Sequence, residues 1–248
     1  MIDFCDELTL VDHRSRDRTP EILERFAAES PIPTSVHHVR DPAVSHELIA
    51  AYAGEDVWAF GVEGDELYDP NGVARFRPRL LLGEFADVGS LKGIQLHCRE
   101  LDLEARGATG WLAPPARSTT KLFNFSLLSS WDGDATERFH GGTAVRRRPV
   151  RIETIRDEKP WDEADFRCLH VCFLRRSSIQ PEGERARESR VERRAHSRLR
   201  RARDRIRSAL GEPEESWWKL NKYAQGEPVT VDVPGFLARA EAVRIDPR

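Results

Sequence analysis

A short apolar-rich run, Glu7 to Asp12, gives way to a polar loop, and then apolar residues recur at helical spacing at Ile22, Leu23 and Phe26. This pattern predicts a strand over 7–12 and a helix over 19–29. Thr19 suits the N-cap, Pro20 the first helical position and Glu21 the positive end of the helix dipole, with the three apolar residues as its buried stripe. The same reading predicts a strand over 35–39, a helix over 43–53 closed by Gly54, a strand over 57–62 and a helix over 72–83. Strand and helix alternate, which is the signature of a largely parallel sheet. Strand candidates at 92–98, 119–127, 144–155 and 166–174 are less regular. They are joined by Gly- and Pro-containing loops such as 110–115, so the second half should be mixed in direction.

From Glu182 the chain becomes Arg-rich, with Val191, Ala195, Leu199, Ala202, Ile206 and Leu210 at three- or four-residue steps. One amphipathic helix is expected, stopped by Gly211. A short helix over 214–224 would carry Trp217 and Trp218, and 228–248 reads as a loosely structured tail. The expected organisation is an α/β domain over 1–180 and a helical extension with its tail over 181–248.

A chain of 248 residues has room for that arrangement. Charged residues make up 33% of it, yet the net charge is only −3, which argues against a nucleic-acid-binding protein. Cys5, Cys98, Cys168 and Cys172 have no framework spacing, and neither a signal peptide nor an apolar run of membrane-spanning length is present. A reducing cytoplasm is the expected setting. The basic face of 185–207 admits three readings: a solvated flank, a peripheral contact with the inner face of an anionic membrane, or an RNA or acidic-protein contact.

The richest chemistry lies in Val57-Trp58-Ala59-Phe60-Gly61-Val62-Glu63-Gly64-Asp65-Glu66, an apolar run ending in clustered acid. On an extended chain residues two apart share a side at roughly 6.5 Å. Glu63 and Asp65 could therefore face one hard cation or one sugar nucleotide at a strand's carboxyl end, where open α/β sheets hold ligands. A strand leaving the core also meets acidic residues in ordinary turns, so the spacing alone leaves both readings open.

The upstream arrangement V-D-x-x-S-x-D-x-T-P-E-I-L from Val11 to Leu23, followed by a strand ending E-x-D-E, resembles the family 2 glycosyltransferases of the GT-A fold. The likeness covers most of 7–175. It implies a GT-A-like, doubly wound mixed sheet and transfer of a sugar from a nucleoside-diphosphate sugar to a hydroxyl acceptor with Mn²⁺ or Mg²⁺ and inversion at the anomeric carbon. Carried over by position, Asp12 would contact the base or ribose, Glu63 the ribose or metal, and Asp65 the metal. The family's usual pattern is D-x-D, so Glu63 adds one methylene of reach. The chain begins at what reads as the family's second strand, and the upstream frame is expected to encode the first strand, a polar loop and a helix, with Ile2 and Phe4 reading as the end of a helix packed on that strand. With the nucleotide pocket incomplete, the alternative is a non-catalytic GT-A-like module.

His170 could return to the cation, as a late His does in many GT-A enzymes, or could be a core histidine. A zinc site from Cys168, His170 and Cys172 is opposed by geometry, because residues four apart on a strand lie about 13 Å apart. Glu137 is the first choice for the base that takes the acceptor's proton and Asp134 the second, against an acidic turn before Gly141-Gly142. Arg117 and Lys121 could hold a diphosphate or simply be solvated. His37 and His38, on one short strand, are assigned no function.

Overall fold

A computed structural model of the protein describes residues 2–41, 43–102, 104–112, 120–133, 142–154, 159–171 and 227–237. The fold is mixed α/β. Its first unit is a parallel pair, β1 (Leu8–Asp12) and β2 (Thr34–His38), connected by helix α1 (Thr19–Glu29). The α1 bounds agree with its start signals, although Arg18 takes the N-cap position and the Thr19 backbone N–H is capped by Asp17 Oδ1 at 2.9 Å. The expected buried stripe is corrected: α1 has no buried residue, and Phe26 is 38% exposed. Among the described strands this unit has only two, too narrow a surface to cover a helix face.

The remaining strands fall into three sets rather than one doubly wound sheet. After α2 (Val44–Ala50) come β3 (Trp58–Phe60), β4 (Glu66–Tyr68) and α3 (Pro70–Leu81). A long run follows: β5 (Val88–Lys92), β6 (Ile94–Asp102), β7 (Gly107–Leu112), β8 (Thr120–Asn124), β9 (Leu128–Gly133), β10 (Gly142–Arg146), β11 (Arg151–Thr154) and β12 (Arg167–His170). One set has the order β11-β5-β8-β3, with β8 antiparallel to both neighbours and β11 parallel to β5. β9 and β10 form a hairpin pair. The largest set has five strands, closed at one edge by β13 (Val229–Asp232) in the order β13-β7-β6-β12-β4. The mixed directions expected of the second half are present.

Three sequence expectations need correction. Residues 228–237 are not loose: β13 pairs antiparallel with β7, and a short helix α4 (Pro234–Leu237) follows, with Val233 and Phe236 buried. Residues 110–112 belong to β7 and not to a loop. Gly110 is required there because a Cβ would overlap the His97 carbonyl oxygen on β6. Ile2 to Phe4 form a turn and not a helix end; Phe4 packs edge-on to Phe60 at 5.3 Å in the main core. The Arg-rich helix expected over 182–210 lies outside the described residues.

α3 begins where Asp69 Oδ1 accepts from the Asn71 backbone N–H at 3.1 Å, with Pro70 opening the first turn. Its apolar stripe, Val73, Phe76 and Leu80, meets Leu91, Leu122 and Phe166 from the sheet. Phe76 is fully buried and stacks on Phe85 at 5.3 Å and Phe166 at 5.5 Å. Phe60, Tyr68 and Phe166 form a second aromatic group with centroids 4.7 to 5.6 Å apart, so the ends of the turn between β3 and β4 are anchored in this core.

Truncating Phe76 removes the ring at the centre of that stack. Phe76→Ala should lower unfolding free energy by about 3–5 kcal/mol in a denaturant titration, and Phe26→Ala on α1 should cost far less.

Candidate functional site

β3 ends at Phe60, so Glu63 and Asp65 do not share the face of a strand as their spacing suggested. A tight turn brings them together. The Glu66 N–H donates to the Glu63 carbonyl at 3.0 Å, and the Glu63 N–H donates back to Glu66 Oε2 at 3.1 Å. With Gly64 in the middle, this reciprocal pair folds the two carboxylates toward one point.

The third member comes from β12, about a hundred residues later. His170 lies opposite Glu66 on β4 and beside His97 on β6, and the Val171 N–H donates to the Asp65 carbonyl at 2.8 Å. His170 Nε2 stands 3.4 Å from Asp65 Oδ2. One ligand atom each from Glu63, Asp65 and His170 lies within 4.8 Å of the other two. Donors bound to one metal at about 2.0–2.2 Å stand no more than roughly 4.4 Å apart, so small side-chain rotations would complete a three-donor set. Two carboxylates and an imidazole suit a divalent ion such as Mn²⁺. His170 Nδ1 is buried and has no hydrogen-bond partner among the described residues, which leaves Nε2 as the nitrogen presented to the carboxylates.

Behind the turn lies a layer of buried polar groups. Glu66, Gln95 and His97 are each less than 10% exposed, Gln95 donates to Glu66 Oε1 at 3.3 Å, and the His97 and His170 rings are 5.1 Å apart. Burial, the Cys168 thiol and the nearby carboxylates of Glu66 and Glu63 push the Tyr68 phenol well above its usual range, so it stays protonated. On the same strand as His97, burial pushes the Cys98 thiol up to about 11, which makes it an inert core residue.

Asp12, at the end of β1, is not a member of the group Glu63, Asp65 and His170. It is 4% exposed and fully engaged by its own fold: Oδ1 accepts from the Ser15 N–H at 3.1 Å, and Oδ2 faces His38 Nδ1 at 3.2 Å. His38 Nε2 faces Glu24 Oε1 at 2.9 Å. His38, assigned no function from the sequence, therefore bridges two carboxylates. No local sequence signal marks this role, because it lies in the register of β2, which places His38 directly opposite Asp12.

The expected cation ligands Glu63, Asp65 and His170 are thus brought together. Lys121 has its backbone in β8, and its side chain lies outside the described residues, as do Asp134, Glu137, Arg117 and the stretch 185–207. Cys168 is a buried thiol that shares a hydrogen bond with Tyr68, and Cys172 lies outside the described residues. Among the described residues no helix is long and apolar enough to cross a membrane. No protein-family model and no curated protein matches the sequence.

A neutral imidazole has one N–H and can donate to only one carboxylate, whereas imidazolium serves both. Hydrogen bonds to Glu24 and Asp12 accordingly raise the His38 pKa. For Asp12 burial acts upward, but the bonds from Ser15 and His38 outweigh it and the pKa is lowered. The bridge therefore stabilises the fold fully between the two groups' unfolded values. Its contribution fades as pH rises through the raised His38 pKa, and again as pH falls through the lowered Asp12 pKa. The stability difference between the wild type and His38→Gln, followed by urea unfolding, should shrink at both ends; a pH-independent difference would contradict the bridge.

Proposed function

We propose that the chain transfers a sugar from a nucleoside-diphosphate donor to a hydroxyl acceptor, with Glu63, Asp65 and His170 holding a divalent cation against the donor's diphosphate. The observation that carries this reading is the convergence of these three residues from two distant segments. A mixed α/β architecture with an acidic turn at the carboxyl end of β3 supports the GT-A-like form of the reading.

The chemistry is a displacement at the anomeric carbon. The acceptor oxygen forms the new bond to that carbon, the bond to the diphosphate oxygen breaks, and its electron pair leaves with the nucleoside diphosphate. A bound cation would supply charge neutralisation for that leaving group. Glu63 and Asp65 contribute the negative charge that holds such an ion, and His170 adds a neutral donor without further charge. Glu137 is assigned to accept the acceptor's proton, with Asp134 as the alternative, and attack opposite the leaving group gives inversion.

One observation favours a binding-only module instead. Asp12, the residue expected to meet the nucleoside, has both carboxylate oxygens engaged by Ser15 and His38.

Calorimetric titration of uridine diphosphate with and without Mn²⁺ distinguishes the parts. Asp65→Ala should remove the Mn²⁺-dependent binding, and Glu63→Asp should keep it. Unchanged binding by Asp65→Ala would show that the site is misplaced. In sugar-transfer assays Glu137→Gln should lower turnover about 10²- to 10⁴-fold with donor binding intact. Metal-dependent nucleotide binding with no release of nucleoside diphosphate from any sugar nucleotide would favour the binding module.

A further inference from the structure

We infer that Glu66 is a positioning residue for the cation site, an inference that rests on the cation reading above. Glu66 is 7% exposed, and its two oxygens have separate duties. Oε2 accepts from the backbone N–H of Glu63, and Oε1 accepts from the side-chain amide of Gln95 on β6. The first bond shapes the turn that carries Glu63 and Asp65. The second ties that turn to the interior of the five-stranded sheet.

The register makes the tie specific. β4 and β6 flank β12, and His170 is paired with Glu66 on one side and His97 on the other. Glu66 and Gln95 therefore connect the two strands on either side of the one that carries His170. The acidic turn and the imidazole are held to a common frame.

The Glu63 backbone and the Gln95 amide both offer N–H donors to Glu66, so two acceptor oxygens are needed on one side chain. A glutamine has a single oxygen, and its NH₂ would face either the Glu63 N–H or the Gln95 amide nitrogen. Glu66→Gln thus keeps size and polarity and either loses one bond of the pair or forces Gln95 to turn its amide over. Groups that orient metal ligands in this way typically change metal affinity about 10- to 100-fold when altered.

Mn²⁺ affinity, read from the electron paramagnetic resonance signal of the free ion, tests the inference alongside denaturant unfolding of the same samples. Wild type should bind Mn²⁺, and Glu66→Gln should bind about 10- to 100-fold more weakly while still folded under assay conditions. The charge control Glu100→Gln, at an exposed position of β6, should bind like wild type. Gln95→Met keeps the carboxylate and removes one donor; it should weaken binding several-fold and provides the readout if Glu66→Gln does not fold. A purely structural role would lower the unfolding midpoint and leave the affinity of the folded protein unchanged, which would overturn the inference in either variant. Complete loss of binding in Glu66→Gln would also overturn it, by making Glu66 a ligand. If wild type itself holds no Mn²⁺, the cation reading fails, and with it the inference; wild-type binding with unaltered variants defeats the inference alone.

Discussion

Strand β12 is held between β4 and β6, antiparallel to the first and parallel to the second, and the candidate site depends on that placement. The 3.4 Å approach of His170 to Asp65 requires that the chain return, about a hundred residues after the acidic turn, to the edge of the strand that follows the turn. Backbone pairing supplies the register, and the bond from the Val171 N–H to the Asp65 carbonyl extends it past the end of β4. Buried apolar contacts then fix the strands. Leu169 of β12 lies in the core with Ile94 and Leu96 of β6, while Phe166, just before β12, packs beneath the turn against Phe60 and Tyr68.

Electrostatics gives this arrangement its chemical direction. Two carboxylates folded toward one point repel each other, and partial burial weakens the screening by water. Such a cluster favours a bound cation, a nearby donor or a shared proton. The half-buried turn offers His170 in front and the buried Glu66 behind, and the latter is occupied in holding the backbone. A divalent ion would meet two hard oxygen donors and one nitrogen. The Asp12–His38–Glu24 bridge solves a similar problem differently, with a protonatable imidazole between carboxylates.

Local order in the first eighty residues was legible because its signals are local. Pro20 and Glu21 mark the start of α1, and the alternation of apolar runs marks β1, β2 and β3. The resemblance singled out Glu63, Asp65 and His170, which the fold does bring together. Spacing was misleading about how: the residues meet through a turn closed by Glu66, because β3 ends three residues before Glu63. β4 and β13 escaped notice since each is a short strand whose identity rests on its partner. Gly110 reads as a loop residue in isolation, although in β7 it is the position that lets two backbones approach. His38 was passed over because its function lies in register with Asp12, a relation that no local pattern records.

The central claim is that a hundred-residue return of the chain builds one cation site from the acidic turn and His170. Anomalous X-ray diffraction from crystals grown with Mn²⁺ tests it most directly, because the peak locates the ion without reference to activity. The account predicts a single strong peak within bonding distance of the Asp65 carboxylate and His170 Nε2, with Glu63 facing it. A strong peak elsewhere, or no peak at this turn at saturating Mn²⁺, would contradict it.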